Sequence, residues 1–216
     1  SSDVCSSDLT MSSRTMVVPH TYDDDVMKDA LRRYPDRARF FENANAIHVC
    51  YTGNLYGIRG AALVANVARR MRTEDASKPI VIDVFGAVRG TDKRQLEALG
   101  PGVRFHGNVS YQESLAAMQH ADVLLLLDVP SPGSPFFPSK LAEYLGTRRP
   151  IIALAADDSA TARIAREMGL MLCPYTEAPI RIDAAVYDQP LDRRAVYANR
   201  AETYRELIEK MNGLAG

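Results

Sequence analysis

A glycine-rich stretch after the first long apolar segment is the first candidate for ligand chemistry. Residues 51–60 read YTGNLYGIRG, with glycines at 53, 57 and 60 and a permanent cation at Arg59. Glycines let the backbone approach a ligand closely, and a following helix offers unpaired N–H groups, so the stretch suits a phosphate. The spacing is not GxGxxG, which disfavours a plain NAD site. An ordinary turn with a solvated arginine remains an alternative.

A Pro- and Gly-rich loop, residues 128–138, is the second candidate. It leaves an apolar strand and enters a helix near Pro138, with Ser139, Lys140 and Glu143 in the first two turns. Helix amides and Lys140 attract a pyrophosphate, and an ionised Glu143 can accept hydrogen bonds from a ribose diol. A helix-starting proline followed by a solvated glutamate would give the same pattern.

The third candidate is the sequence FHGNV, residues 105–109, which follows a strand and precedes a capped helix. Backbone groups near Gly107 can meet a nucleobase edge. We expect His106 to be structural, and Cys50 to pack in the core. The histidines have neither triad-like nor metal-ligand spacing, so no catalytic residue, metal site or cofactor is predicted.

Composition limits the classes of partner. The 216 residues include 26 basic and 27 acidic side chains, a net charge of -1, which gives no electrostatic footprint for nucleic acid. The longest aliphatic run, residues 123–127, is far shorter than the roughly 20 apolar residues that span a bilayer. Three cysteines without paired spacing indicate no disulfide framework. We expect a cytoplasmic protein, and association of a longer parent protein with the inner face of a membrane stays open.

The N-terminal residues divide into two predicted parts. Residues 1–9, SSDVCSSDL, read back into a nucleotide sequence that resembles a sequencing adapter, so we interpret them as a non-native tail. A flexible native tail is the alternative. Residues 10–46 are interpreted as an interdomain segment, with a short strand-like piece at 16–19.

From Ile47 onward, apolar runs alternate with segments of helical period. This alternation predicts an α/β fold, a Rossmann-like parallel sheet with helices on both faces. The predicted strands are Ile47–Thr52, Ile80–Phe85, Val103–His106, Val123–Asp128, Ile151–Leu154 and Leu170–Cys173.

Local signals mark the ends of the helices. Ser110 and Glu113 have capping-box spacing, and Gly146 and Gly169 are predicted to be C-terminal caps. Residues 192–212 predict one amphipathic helix, with an apolar stripe of Tyr204, Leu207, Ile208 and Met211.

These stretches, in this order, resemble the C-terminal domain of family 4 glycosyltransferases, which have a GT-B fold. Gly53 and Leu55 fall on the glycine and leucine that follow the family's first strand. Asn54 stands where the family has a basic residue. Glu143 matches the second of the family's two signature glutamates, eight residues apart, and Pro135 stands where the first would be.

The resemblance implies that residues 47–216 bind the donor and that a longer parent carries an N-terminal acceptor-binding domain. It implies a retaining, hexosyltransferase-type enzyme that uses a UDP- or GDP-sugar in cell-surface polysaccharide biosynthesis, and a fragment that is inactive alone. The implied diphosphate contacts are Gly53, Asn54, Arg59, Ser139 and Lys140. The nucleoside contacts are Gly107, Asn108 and Glu143, and the sugar-proximal loop is Ser134, Pro135, Phe136 and Phe137.

Two other functions stay open. A nucleotide-sugar 2-epimerase has the same two-domain architecture, although its catalytic residues have no counterparts that we can place here. A non-catalytic nucleotide-binding or regulatory module is favoured by Pro135 in place of a glutamate.

Overall fold

The structure is a computed structural model. It describes residues 20–57, 60–75, 77–88, 90–136, 138–190 and 200–213. Several predicted features lie outside the described residues: the tail 1–9, the strand-like piece at 16–19, Arg59, Phe137 and the first part of the C-terminal helix.

The strands of the described chain form two parallel sheets. Their bounds are β1 Ile47–Thr52, β2 Met71–Thr73, β3 Ile80–Phe85, β4 Val103–Gly107, β5 Val123–Leu127, β6 Ile151–Leu154, β7 Met171–Cys173 and β8 Ile180–Ile182. All six predicted strands are present, with ends that agree within one residue. The short pair of β2 and β8 was not predicted, because three residues are too few to show a period.

The larger sheet has the order β4-β3-β1-β5-β6-β7, and its strands are parallel. Every residue of β1, β5 and β6 is buried, as expected for strands covered by helices on both faces. The strand order grows outward in both directions from the centre and reverses between β1 and β5. The predicted Rossmann-like α/β fold is confirmed.

The helices cover the two faces of this sheet. Their bounds are α1 Asp24–Arg33, α2 Ala61–Arg70, α3 Gly90–Glu97, α4 Tyr111–His120, α5 Lys140–Gly146, α6 Ala160–Glu167, α7 Ala184–Tyr187 and α8 Arg200–Gly213. One apolar core lies under α1, α4, α5 and α6. The other lies under α2, α3 and α7.

The described part of the interdomain segment, residues 20–46, packs onto the first of these cores. The side chain of Asp23 caps α1, and Met27 and Ala30 are buried. Phe40 and Phe41 are buried in the same core. No helix was predicted in this segment, although its apolar residues Val26, Met27, Ala30 and Leu31 have helical spacing behind the cap at Asp23.

Two of the three predicted helix-end signals are confirmed. The capping box of Ser110 and Glu113 is formed at α4. Gly169 ends α6 with a φ of 65°, and the next amide donates to the Ala165 carbonyl at 2.8 Å. The prediction for Gly146 is wrong, because this residue is the last helical residue of α5, without a positive φ, and Thr147 is the cap. A Cβ there would be 2.5 Å from the Tyr22 ring, so tertiary packing requires the glycine.

The apolar stripe of the C-terminal helix faces outward. None of the described residues 200–213 is buried, and Tyr204, Ile208 and Met211 are 48%, 58% and 61% exposed. An ion pair between Arg200 and Asp23, with a distance of 3.0 Å, ties the start of α8 to the N-terminal cap of α1.

A chain of ionisable side chains crosses β1, β3 and β4. Asp83 is fully buried, and its two carboxylate oxygens each lie 2.7 Å from a ring nitrogen, one of His48 and one of His106. The other ring nitrogen of His48 is 2.9 Å from the carbonyl oxygen of Asn43. Both partners of His48 are acceptors, so this geometry favours the imidazolium, the form of the ring that donates from both nitrogens. Burial lowers the pKa of His48. The hydrogen bonds to Asp83 and Asn43 raise this pKa by more than burial lowers it, so the net shift is upward.

The upward shift predicts a stability term that depends on pH. His48 has an ordinary pKa of 6.5 when unfolded. The term is therefore complete below that pH and is lost as the pH rises through the higher folded-state pKa. We expect His48→Gln to lower the free energy of unfolding by about 1–3 kcal/mol at about pH 6, and by less at about pH 9.

Urea unfolding of both proteins across this pH range measures the difference. His20→Gln, the same change at an exposed histidine, is the control. A gap between wild type and His48→Gln that stays constant or widens as the pH rises would contradict the imidazolium assignment.

Candidate functional site

The crevice between β1 and β5 is the centre of the candidate site. The two strands pair only through Val49 with Val123 and Cys50 with Leu124, and then they separate. In open α/β sheets, ligands bind at the carboxyl ends of the strands where the strand order reverses. The first two candidate loops of the sequence leave β1 and β5 at this point.

The hydroxyl of Tyr144 fills the gap between the separating strands. It accepts a hydrogen bond from the Thr52 N–H at 3.0 Å and donates to the Leu125 carbonyl at 3.3 Å. The side chain is fully buried, and burial raises the pKa of the phenol, so it stays a neutral donor. Tyr144 therefore satisfies the backbone groups that strand separation would leave without partners.

A cavity of about 330 Å³ opens at this crevice. It is lined from the β1 side by Gly53 and Asn54, and from the α5 side by Phe136, Ser139 and Lys140. The structure thus brings together four of the five residues predicted to contact a diphosphate, with one residue of the predicted sugar-proximal loop.

A larger cavity, of about 410 Å³, is lined by residues from α2, β2 and the first residues of β3 and β4. It lies at the amino ends of the strands and includes none of the predicted site residues. Because the reversal of strand order places ligands at the opposite edge, we assign the site to the smaller cavity.

Close packing of glycines shapes the loop after β1. Gly53 has a φ of 148°, and a Cβ there would be 3.0 Å from Cε of Lys140. Gly86, with a φ of 144°, has no room for a side chain, because a Cβ would overlap the Gly53 carbonyl. The loop is therefore held between the turn after β3 and the Lys140 side chain.

Asn54 has a structural contact in addition to its place in the cavity wall. Its side-chain oxygen accepts a hydrogen bond from the Ala87 N–H at 2.9 Å. Any contact of this side chain with a phosphate must therefore come from the amide NH₂ group. This hydrogen bond is one physical reason for an asparagine at position 54, where the family that the sequence resembles has a basic residue.

Lys140 is the first residue of α5 and is half-buried. Among the described residues it forms no ion pair within 4.0 Å. Its side chain passes next to Gly53, where it occupies the space that a Cβ atom would need. Ser139 precedes the helix with a φ of -54° and makes no side-chain capping bond. A cation and a hydroxyl therefore stand at the cavity wall with the chemistry to bind an anion.

The residues predicted to bind a nucleoside lie beside this cavity and do not line it. Gly107 has a φ of 78°, and its carbonyl accepts a hydrogen bond from the Gly86 N–H at 2.8 Å. Asn108 is exposed. Glu143 accepts a hydrogen bond from the hydroxyl of Tyr111 at 3.0 Å. Tyr111 was not predicted to lie at the site, although the capping-box spacing of Ser110 and Glu113 predicts its place at the start of α4.

The predicted sugar-proximal loop is anchored to the start of α6. Ser134 is buried, and its carbonyl accepts a hydrogen bond from the Ala160 N–H at 2.9 Å. Its hydroxyl accepts one from the Phe136 N–H at 3.2 Å. Pro135 and Phe136 are exposed. Pro135 occupies the position of a glutamate in the family that the sequence resembles, so this position offers no carboxylate.

Asp128 is the first residue of the second candidate loop, but no role was predicted for its side chain. It is fully buried, and one carboxylate oxygen accepts a hydrogen bond from the Val129 N–H at 2.7 Å. The other oxygen has no hydrogen-bond partner among the described residues. A buried oxygen without a partner is unfavourable, and its only sequence signal is an acidic residue at the end of an apolar strand.

The described residues contain no group of three or more His, Cys, Asp or Glu side chains placed to hold a metal ion. Within the same residues, no helix is both long and apolar enough to cross a membrane.

No protein-family profile and no curated protein matches the sequence, but solved structures match the fold. HepE of Anabaena, in complex with UDP, aligns over 92% of this chain and 57% of its own, with a TM-score of 0.60 and 13% identity. AviGT4, a glycosyltransferase of avilamycin A biosynthesis, aligns over 95% and 60%, with a TM-score of 0.59 and 15% identity. Sucrose-phosphate synthase from Thermosynechococcus elongatus aligns over 93% and 52%, with a TM-score of 0.57 and 17% identity.

The chain therefore has a Rossmann-like fold of the kind found in GT-B glycosyltransferases. It spans less than two thirds of the length of each of these structures.

The Tyr144 hydroxyl gives a test of how the crevice is built. We expect Tyr144→Phe to lower the free energy of unfolding by about 1–3 kcal/mol, because Thr52 N–H and Leu125 C=O lose their shared partner in a buried place. Urea unfolding measures this loss, with Tyr204→Phe on the exposed face of α8 as the matched control. Equal stability of Tyr144→Phe and wild type would show that the hydroxyl is not needed there.

Proposed function

We propose that this chain is the donor-binding domain of a family 4 glycosyltransferase and that it holds the diphosphate of a nucleotide sugar between β1 and β5. The observation that carries the proposal is the single cavity lined by Gly53, Asn54, Ser139 and Lys140. These residues come from two loops that are distant in sequence, and the resemblance implies that all four contact the diphosphate. HepE, which shares the fold, has been solved with UDP and with UDP-glucose.

The chemistry of the cavity wall supports an anionic ligand. Lys140 supplies a positive charge, Asn54 supplies amide N–H donors, and Gly53 has no side chain between the ligand and the loop backbone. In glycosyl transfer the leaving diphosphate gains negative charge, and donors placed in advance stabilise that charge. Lys140 is the described cation that serves this purpose, and Arg59 is proposed to add a second.

The nucleoside is proposed to extend from the diphosphate toward α4. Glu143 lies one helical turn after Lys140, and its carboxylate accepts hydrogen bonds from the ribose diol. Gly107 and Asn108 border the base. In this arrangement the predicted diphosphate, ribose and base contacts follow one another along one edge of the sheet.

The activity of a longer parent protein is a further proposal. An N-terminal acceptor-binding domain would complete a retaining transfer from a UDP- or GDP-sugar, without a metal or another cofactor, at the cytoplasmic side of a membrane. The chain alone would bind the donor without transferring its sugar. Cell-surface polysaccharide synthesis is the process that we propose for the parent.

A non-catalytic nucleotide-binding module is the second candidate, and one observation favours it. Pro135, exposed on the loop, stands where a catalytic family member carries a carboxylate. The upstream part of the gene distinguishes the two candidates. An acceptor domain there supports transfer, and an unrelated domain supports regulation.

Calorimetric titration of the folded chain with UDP, GDP, ADP and NAD tests the proposed site. We expect saturable binding of one nucleoside diphosphate, and about 10- to 100-fold weaker binding by Lys140→Ala, because hydrogen bonds to a charged group are lost. Lys93→Ala, at an exposed lysine of α3 that pairs with Glu97, is the matched control. A folded wild type that binds none of the four ligands, or that prefers NAD, would refute the proposal.

A further inference from the structure

Tyr111 lies beside the proposed site and has no role in the proposed function. Its hydroxyl is 3.0 Å from a carboxylate oxygen of Glu143, and its side chain is 57% exposed. An ionised carboxylate only accepts hydrogen bonds, so the phenol is the donor. Burial, and then the Glu143 carboxylate, raise the pKa of Tyr111 to about 12, which keeps the phenol protonated at neutral pH.

The start of α4 holds Tyr111 in a defined position. The capping box joins Ser110 to Glu113 by reciprocal bonds, with the Ser110 N–H donating to Glu113 at 3.0 Å and the Glu113 N–H donating to the Ser110 hydroxyl at 3.2 Å. Arg39 forms an ion pair with the same glutamate at 2.7 Å. These contacts fix the backbone of the first turn of α4, which carries Tyr111, and the hydroxyl of Tyr111 reaches Glu143 from there.

The contact restricts the carboxylate that is proposed to hold the ribose. Glu143 is half-buried, and a glutamate side chain free to rotate would lose conformational entropy on binding. The bond from Tyr111 leaves one oxygen and further lone pairs available to a diol. Gly107 and Asn108, which are proposed to border the base, stand shortly before Tyr111 in the segment that leads from β4 into α4. A base beside them therefore lies on the side of Glu143 where Tyr111 stands.

We propose that Tyr111 is a positioning and specificity-determining residue for the nucleoside: its hydroxyl orients Glu143, and its exposed ring packs against the base. This inference rests on the proposed function and names the residue that joins its ribose and base contacts. Stacking of a base on an aromatic ring strengthens binding by about 5- to 150-fold. The ring contacts the base and the hydroxyl contacts Glu143, so variants can measure the two contributions separately.

Titration of the 216-residue chain with UDP and with inorganic pyrophosphate tests the two contributions. Tyr111→Phe removes the hydroxyl alone, and we expect about 3- to 10-fold weaker binding of UDP. Tyr111→Ala also removes the ring and should bind UDP more weakly again. Both variants should bind pyrophosphate as the wild type does, because the diphosphate lies at Lys140.

A double-mutant cycle tests the contact with Glu143. In a Glu143→Gln background, Tyr111→Phe should cause a smaller loss of UDP affinity than in the wild type, because the two groups act together. Tyr204→Phe and Tyr204→Ala, on α8, control for the loss of an exposed tyrosine. Circular dichroism confirms that each variant is folded.

The outcomes separate this inference from the proposed function. If the wild type binds UDP and both Tyr111 variants bind it equally well, the inference alone is refuted. Equal losses for UDP and pyrophosphate would also overturn it, since they would indicate a general disturbance of the site. A folded wild type that binds none of UDP, GDP, ADP and pyrophosphate would refute the proposed function and this inference with it.

Discussion

The separation of β1 from β5 is the constraint on which the rest of the site depends. Helices cover both faces of the sheet, so water has little access to backbone groups that lose their strand partner, and an unpaired buried group is costly. The Tyr144 hydroxyl resolves this problem by accepting from Thr52 and donating to Leu125. The Thr52 N–H and the Leu125 carbonyl therefore keep a hydrogen-bond partner where the strands part, and the gap becomes a cavity between two loops.

Backbone contacts then join the loops that surround the cavity. The Gly53 N–H donates to the Phe85 carbonyl at 2.7 Å, and the Gly86 N–H donates to the Gly107 carbonyl at 2.8 Å. The loop after β1, the turn after β3 and the loop after β4 thus form one connected layer. In the proposed function this layer spans the diphosphate and the base, so the geometry of one half of the ligand is linked to that of the other.

The segment before β1 supports the same edge of the sheet. Tyr22 packs against Gly146 at the end of α5, and Asp23 caps α1 while pairing with Arg200. The Asp23 carboxylate also helps to raise the pKa of Tyr111. Residues 20–46 and α8 therefore reach the side of the site that holds Tyr111, although they are distant from it in sequence.

Local chemistry made much of the fold predictable from sequence. Strands buried on both faces are continuous apolar runs, and the capping box at Ser110 and the cap at Gly169 depend on neighbouring residues. The three candidate loops were likewise visible as glycine, proline and charged residues at strand ends. Tertiary structure decided the rest: the strand order, the pairing of β2 with β8, the close packing at Gly146, the Tyr111 contact with Glu143 and the burial of one Asp128 oxygen without a partner among the described residues. Each of these depends on residues far apart in the chain, which come together only after the order of the strands has set which loops meet.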